Sequence, residues 1–95
     1  MSNKGKPLVS IHIICYNQKK YIRKCIEGIL NQVCDFDFEV LIADDFSIDG
    51  TIDIVKEYCL KSSILIPYFS SRNNGALKNH LRLFEKSRGK CIALC

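Results

Sequence analysis

Short apolar runs alternate along this chain with longer amphipathic segments. The runs are rich in β-branched residues and bounded by polar or glycine-containing turns, a pattern typical of buried strands. They predict strands at Leu8–Cys15, Phe38–Ala43, Ile64–Phe69 and Lys90–Cys95. Pro67 cannot donate a ladder hydrogen bond, so we expect the third strand to lie at an edge of its sheet.

The amphipathic segments between these runs have helical spacing. The first is predicted over Lys20–Gln32. The second begins after Asp49, a plausible N-cap, and ends near Lys61. A third is predicted from the spacing of its apolar residues and is expected to end at Gly89 as a C′ residue. The apolar positions of the three segments are Tyr21, Ile22, Cys25, Ile26, Ile29 and Leu30, then Ile52, Val55 and Cys59, then Leu77, Leu81 and Phe84.

The predicted order is therefore βαβαβαβ. Strands separated by helices favour an α/β fold with a parallel sheet and right-handed crossovers. No repeat or linker divides the 95 residues, so we expect a single, partial domain over residues 1–95. The last apolar run stops with no turn or cap after it, which predicts that the sequence is a piece of a longer domain.

Composition narrows the class of protein only a little. The chain is 47% hydrophobic and 25% charged, as an ordinary globular protein is. Its net charge of +4 is spread along the sequence, so no nucleic-acid partner is expected, although weak attraction to anionic headgroups or nucleotide phosphates stays open. Neither a signal peptide nor a membrane-spanning run is evident, which predicts a cytoplasmic protein.

The six cysteines contain no Cys-x-x-Cys pair, and the two histidines are not spaced to complete a zinc site. Cys91 and Cys95 would lie about 13 Å apart on one strand, too far for a disulfide. We expect free thiols that pack as small apolar groups. Cys15, beside a helix start, could instead have a lowered pKa, but inert packing is favoured. His12 is expected to be buried and His80 to face solvent.

Candidate chemistry gathers where the predicted strands end. The carboxyl ends of parallel strands meet at one edge of the sheet, where open α/β folds bind ligands. An aromatic ring, an amide, two carboxylates and a guanidinium are expected there, and this mixture suits a nucleotide. The candidate binding residues are Tyr16, Asn17, Asp44, Asp45 and Arg72.

Each candidate also has a structural interpretation. Asp44 and Asp45 could cap a loop, Tyr16 could be a rim residue of the core, and Arg72 could be a solvated loop charge. Ser47 and Asp49 are more typical of helix capping than of catalysis. The position of the acidic pair, directly after a buried strand, favours the ligand role for that pair.

Four ordered segments resemble the amino-terminal half of the family 2 glycosyltransferases. The resemblance runs from about Pro7 to Cys95, and its most specific element is Asp-Asp-x-Ser-x-Asp-Gly-Thr. It implies a GT-A fold, whose first part is Rossmann-like, and a nucleotide-diphosphate sugar as donor. The segments are Val9–Asn17, Glu39–Thr51, Asn74-Gly75 with Asn79, and Gly89–Leu94.

The resemblance also implies roles for individual residues. Tyr16 would stack on or flank the base, usually uracil, and Asp45 would accept from its imide N–H with Asp44 beside it. Arg72 would approach base or phosphate. Glu39 would be structural. Cys15 departs from the family, where a small hydroxyl residue is commoner.

The chain ends where the family's Asp-x-Asp metal motif should begin. The resemblance therefore implies Mg²⁺ or Mn²⁺ for the full-length enzyme but not for these 95 residues, and places the catalytic base beyond Cys95. The parent would be an inverting enzyme of bacterial surface polysaccharide synthesis. Its acceptor would be a saccharide or a lipid-linked one, with a peripheral contact at the inner membrane surface left open. The fragment alone is expected to be inactive.

A receiver-like regulatory module is the alternative, since it too places paired aspartates at a strand end. It would need a further acceptor aspartate after the third strand, where this sequence has Phe69-Ser70-Ser71. A structural fragment without activity is a third possibility.

Overall fold

The computed structural model describes residues 7–31, 37–89 and 91–94. The elements follow one another in the predicted order of alternating strands and helices. Lys90 and Cys95, at the ends of the predicted fourth strand, and Gln32, at the end of the first helix, lie outside the described residues. The elements are β1 (Val9–Cys15), α1 (Lys19–Leu30), β2 (Phe38–Asp44), α2 (Thr51–Lys61), β3 (Leu65–Phe69), α3 (Ala76–Lys86) and β4 (Cys91–Leu94).

The described strands form one parallel sheet in the order β3-β2-β1-β4. The expected edge position of the proline-containing strand is confirmed, because among the described strands β3 pairs only with β2. After β3 the chain crosses to the far side of β1, so the strand order reverses between β1 and β4. A reversal of this kind opens a crevice at the carboxyl ends of the strands, where α/β folds bind ligands.

The sheet is covered on both faces. Alternate residues of β1 and β2, among them Ile13 and Ile42, pack against α1 and α2 in the larger core cluster. The intervening residues Leu41 and Ala43 pack against Leu83 of α3 in a smaller cluster. Because successive strand residues point to opposite faces, nearly continuous apolar strands are what a sheet buried on both sides requires.

Two of the predicted helix boundaries are wrong in an informative way. The residue that caps α2 is Gly50, in the left-handed region at φ 102°, whereas Asp49 accepts from the backbone N–H of Thr51 at 3.0 Å from outside the helix. The helix α3 ends at Lys86 with Ser87 as its C-cap. Gly89 is therefore not its C′ residue; a Cβ there would lie 2.6 Å from the backbone nitrogen of Ser10.

The third helix buries a different face from the one its apolar spacing suggests. Leu77, Leu81 and Phe84 are each at least half exposed, while Asn79 and Leu83 are buried. His80 is half-buried rather than solvent-facing. His12 is buried, as expected.

Candidate functional site

The three strand ends that carry the predicted site residues are joined by backbone hydrogen bonds. Cys15, Asp44 and Phe69 are register partners across β1, β2 and β3. Beyond them, Asp45 N donates to Cys15 O at 2.9 Å, and Ser70 N donates to Asp44 O at 3.0 Å. The residues that follow each strand therefore leave the sheet at the same edge, as the sequence predicted.

Asp44 faces inward. Its carboxylate accepts from the backbone N–H of Ser47 at 2.8 Å, from the Ser47 hydroxyl at 2.5 Å and from the thiol of Cys15 at 3.5 Å. The residue is fully buried. Asp44 was predicted to bind nucleotide, but it presents no surface at this edge; its carboxylate instead fixes the turn that carries Asp45 away from β2.

Cys15 is a buried thiol beside that carboxylate. Burial raises its pKa well above the ordinary value, and the negative charge of Asp44 raises it further. A thiol of this kind stays protonated and unreactive at neutral pH. The interpretation of Cys15 as inert packing is therefore favoured over that of a reactive group. Cys59 is likewise a free thiol whose pKa is raised by burial.

The turns after β1 and β2 are bound to each other through Asn17. Its backbone N–H donates to Ser47 Oγ at 2.8 Å, and its side-chain oxygen accepts from Ile48 N at 2.9 Å. Asn17 has a φ of 52°, a left-handed conformation that asparagine tolerates better than most residues. Nearby, Lys19 N donates to Asp49 Oδ2 at 3.1 Å. The predicted binding residue Asn17 thus also holds the two turns side by side.

Two aromatic residues emerge at this edge. Tyr16, which the sequence singled out, is 44% exposed, and Phe46, which it did not, is 43% exposed. Phe46 has a φ of 65°, an uncommon and strained backbone conformation for a bulky residue. The available signal was an aromatic residue inside a turn, between Asp45 and Ser47. Both rings are apolar surface beside a polar cluster.

Asp45 is nearly buried and accepts three hydrogen bonds from the start of α3. The donors are Asn74 N at 2.7 Å, Gly75 N at 3.2 Å and Asn79 Nδ2 at 3.1 Å. The bond from Asn74, with those from Gly75 and Asn79, outweighs burial and lowers the pKa of Asp45 below its ordinary value. The group is therefore a carboxylate at neutral pH. Since a carboxylate has about four acceptor positions, these three donors leave one position for another group.

The neighbouring side chain of Asn73 can share that remaining position. With its amide nitrogen turned toward Asp45, Asn73 lies 2.6 Å from the backbone oxygen of Asp45 and 3.2 Å from Oδ2. The backbone oxygen is the nearer acceptor, and Asn73 is exposed. An incoming donor can therefore take Oδ2 while Asn73 keeps its shorter hydrogen bond.

A second tier of residues supports this carboxylate, and the sequence did not reveal it. Arg82 donates through Nη2 to Asn79 Oδ1 and to Ser70 Oγ, each at 2.8 Å. Its guanidinium carbon also lies 5.9 Å from the centre of the Tyr68 ring. The signal available in the sequence was the spacing of Asn79 and Arg82, three residues apart and hence on one helical face.

Arg72, the remaining predicted binding residue, lies exposed in the loop between β3 and α3. The structure thus brings Tyr16, Asn17 and Asp45 to one edge, turns Asp44 inward and leaves Arg72 in the neighbouring loop. Within residues 7–31, 37–89 and 91–94, no three side chains of His, Cys, Asp or Glu are grouped so that they could hold a metal ion.

Comparison with solved structures identifies the fold. The chain superimposes with a TM-score of 0.80 on the mannosyltransferase PcManGT of Pyrobaculum calidifontis, solved with GDP-Man and Mn²⁺; at 20% identity over 96% of this chain and 27% of that one, this shows the fold alone. It superimposes with a TM-score of 0.79 on S. aureus TarS in complex with UDP-GlcNAc, at 29% identity over 90% of this chain and 25% of that one. The Rossmann-like GT-A architecture is confirmed.

Curated proteins give matches of similar extent. An uncharacterized protein of Mycobacterium tuberculosis is 39% identical over 92% of this chain, which spans about a quarter (25%) of that relative's length. The chondroitin synthase of Escherichia coli is 43% identical over 76% of this chain and 10% of its own. A protein of Bacillus subtilis described as the putative teichuronic acid biosynthesis glycosyltransferase TuaG is 32% identical over 93% of this chain and 34% of its own.

A match to a protein-family profile gives the same result as these relatives. The profile of the family described as "Glycosyl transferase family 2" matches residues 10–95, almost the whole chain. The chain belongs to glycosyl transferase family 2.

Proposed function

We propose that residues 1–95 are part of a single domain that binds the nucleotide of a nucleotide-diphosphate sugar, of the UDP type, for an inverting glycosyltransferase. One observation carries the proposal. Asp45 is an ionised carboxylate at the carboxyl edge of the sheet, near the exposed ring of Tyr16. Three donors from the start of α3 hold it, and at the fourth acceptor position a ligand would replace only the exposed amide of Asn73.

The chemistry of uracil matches these two groups. Its imide N–H is a donor that a fixed carboxylate accepts well, and its ring is a face on which an aromatic side chain stacks. TarS was solved in complex with UDP-GlcNAc and PcManGT in complex with GDP-Man, so nucleotide sugars are bound by proteins of this fold. Both facts support a nucleotide at this edge, and the uracil match favours UDP.

Supporting roles follow for the other predicted residues. In this proposal Asn17 holds the two turns together and Asp44 fixes the turn that presents Asp45, so Asp44 acts on the ligand only through its neighbour. Arg72, exposed and cationic, would neutralise phosphate charge.

The activity of the whole protein is part of the proposal, because the chain spans about a quarter (25%) of relatives such as the M. tuberculosis protein. We assign acceptor activation and metal binding to no residue here, and we expect these 95 residues alone to transfer no sugar. The names of the chondroitin synthase and TuaG relatives support bacterial surface polysaccharide synthesis. The acceptor would then be a saccharide, free or lipid-linked.

We place the enzyme in the cytoplasm, with a contact at the inner membrane surface as a further proposal. Of the helices within residues 7–31, 37–89 and 91–94, none is both long and apolar enough to cross a bilayer. The family match does not favour the alternative of a receiver-like module. The inward position of Asp44 also argues against it, since paired aspartates of that kind need an open acidic site.

Titration of the 95-residue chain with UMP and UDP, followed by amide NMR, tests the proposal. We expect shifts centred on Tyr16 and Asp45 and a dissociation constant of about 1 mM or weaker, the range in which about 4 kcal/mol holds a ligand. Asp45→Asn should remove these shifts. Tyr16→Ala should weaken binding about tenfold, as loss of a stacking partner does.

Two controls keep the charge and the ring matched. Asp53→Asn removes an exposed carboxylate from the first turn of α2, and Tyr21→Ala removes a tyrosine that is 67% exposed on α1. Both variants should bind as the unaltered chain does. If millimolar nucleotide moves no amide, or if Asp45→Asn binds as well as Asp53→Asn, the proposed function is wrong.

A further inference from the structure

A line of hydrogen bonds leads from α3 to the edge of the sheet. Arg82 Nη2 donates to Asn79 Oδ1 at 2.8 Å, and Asn79 Nδ2 donates to Asp45 Oδ1 at 3.1 Å. Asn79 is 1% exposed, so its amide has no water to exchange partners with. We propose that Asn79 and Arg82 are positioning residues that fix the carboxylate of Asp45 for the nucleotide, an inference that rests on the proposed function.

The direction of these bonds follows from which groups can donate. An arginine has donors only, so the guanidinium of Arg82 selects the oxygen of the Asn79 amide. The amide nitrogen must then face the other way, toward Asp45 Oδ1 and Gly75 O, which accept from it at 3.1 Å each. Ser70 Oγ donates to the same amide oxygen at 3.3 Å, so Arg82 adds a charged and shorter donor to an orientation that its neighbours also favour.

Arg82 is itself held from a second side. The same Nη2 atom donates to Ser70 Oγ at 2.8 Å, directly after β3, and the guanidinium lies over the Tyr68 ring. The side chain therefore connects the end of β3 to the buried face of α3. Such a group, wedged between a strand end and a helix, has little freedom to move, and that rigidity is passed on through Asn79.

The same hydrogen bonds keep the positive charge of Arg82 out of direct contact with Asp45. The groups that donate to Asp45 are neutral amides, and the cation, Arg82, donates to Asn79 instead of to Asp45. A direct arginine pair would occupy the carboxylate and cancel its charge. Because Arg82 contacts Asn79 and not Asp45, the oxygens of Asp45 stay charged and oriented, and an imide N–H that replaces Asn73 at Oδ2 would meet that charge.

The test compares Arg82→Met with Lys86→Met in the full chain. Both remove one positive charge from α3, but Lys86 is exposed in the last turn of the helix. Side-chain ¹³C NMR follows the titration of the Asp45 carboxyl, and titration with UMP gives the affinity. We expect Arg82→Met to raise the pKa of Asp45 and to weaken UMP binding roughly two- to tenfold, the equivalent of one hydrogen bond, while Lys86→Met changes neither.

Two further variants divide the effect. Arg82→Lys keeps the charge but not the planar donor group, so binding should still weaken although the pKa of Asp45 moves less than in Arg82→Met. Asn79→Ala should raise the pKa of Asp45 and weaken UMP binding at least as much. If the buried Asn79 variant does not fold, the two Arg82 variants decide, because Arg82 is only half-buried.

The outcomes distinguish this inference from the proposed function. An unaltered Asp45 pKa and unaltered UMP affinity in a folded Arg82→Met chain would overturn the positioning role while leaving nucleotide binding intact. Absence of UMP binding to the unaltered chain would instead overturn the proposed function. In that case the Asp45 titration in the same variants still decides whether Asn79 and Arg82 hold the carboxylate.

Discussion

The strand β2 carries a buried carboxylate near its start and another just past its end, and the two are held differently. Glu39, near the start, accepts from Ser10 Oγ at 2.6 Å, from Arg88 N at 2.8 Å and from Arg88 Nε at 3.1 Å. A further Arg88 nitrogen, Nη2, lies 3.1 Å from the same carboxylate. Asp45, just beyond the other end, accepts from neutral amides, and Arg82 donates to one of these amides, that of Asn79.

The difference explains how one strand serves both stability and binding. Burial alone would raise the pKa of Glu39, but hydrogen bonds from Ser10 and Arg88 lower it, and a cation in contact cancels the charge. Asp45 is equally ionised, but no cation touches it among the described contacts. The Glu39 end therefore joins the segment after α3 to the sheet, whereas the Asp45 end keeps an unneutralised anion where a ligand can approach.

The largest effect should come from breaking the Glu39 end. Glu39→Gln leaves the donors of Ser10 and Arg88 facing an amide, and we expect a loss of about 3 kcal/mol in the free energy of unfolding, as for hydrogen bonds to a buried charge. Urea denaturation measures it. Glu57→Gln, which breaks an exposed pair with Arg23, should cost far less. Where Glu39→Gln is folded, its UMP affinity should be unaltered; a lost affinity would show that the two ends are not independent.

Close packing at the same end gives the next effect. A Cβ on Gly89 would lie 2.6 Å from Ser10 N and 2.7 Å from its Oγ, so Gly89→Ala must push the chain away from β1. We expect a loss of about 2 kcal/mol, the usual cost of overpacking. Gly28→Ala is the control: nothing lies within 4 Å of a Cβ there, and alanine should stabilise α1 by up to about 1 kcal/mol. Equal effects in the two variants would contradict the close approach at Gly89.

Acid should weaken both ends, and a single substitution separates them. A carboxyl whose pKa is lower in the folded than in the unfolded chain stabilises the fold above its ordinary pKa, and this contribution is lost as pH falls below about 4. Both Glu39 and Asp45 have lowered pKa values. In urea denaturation between pH 7 and pH 3, Asp45→Asn should therefore flatten the loss of stability. An unchanged slope in Asp45→Asn would mean that the carboxylate is not held as described.

The sequence predicted the architecture well because the pattern of apolar residues follows directly from burial of the sheet on both faces. Runs such as Val40–Ala43 are apolar at every position, and only a strand covered on both faces requires that. Their alternation with helices then leaves few topologies. The edge position of β3 followed from the missing donor of Pro67. Two helix boundaries were predicted wrongly. Gly50 rather than Asp49 caps α2, and Gly89 allows close packing against β1 instead of ending α3.

The sequence predicted where the candidate site lies better than it predicted which contacts the side chains make there. Position after a strand brought Tyr16 and Asp45 to one edge, but it did not reveal which of the two adjacent aspartates turns inward and which contacts α3. That difference depends on Ser47 and on Asn79, which lies 34 positions beyond Asp45 along the chain. Arg82 was missed for the same reason: its partners come together only when β3 and α3 are packed.

The smallest effect concerns His12, which lies on β1 two residues beyond Ser10, the register partner of Glu39. The hydroxyl of Ser87 donates to Leu83 O at 2.7 Å, so it must accept the 2.5 Å hydrogen bond from His12 Nε2. Nε2 therefore carries the proton. Nδ1 is a buried lone pair with no hydrogen-bond partner within the described residues. Nitrogen-15 NMR of the imidazole should report this tautomer.

The pKa of His12 links it back to the Glu39 end. Burial lowers this pKa, His80 lowers it further and Glu39 opposes both. Because the unfolded chain then binds the proton more readily, stability should fall as pH drops below about 6.5. Glu39→Gln removes the one opposing charge, so it should steepen that fall, whereas Asp45→Asn should leave it unaltered. Urea denaturation from pH 8 to pH 5.5 compares the two variants. If both variants steepen the fall equally, the charge of Asp45 affects the pKa of His12 as much as that of Glu39 does. The two ends of β2 would then not be electrostatically independent.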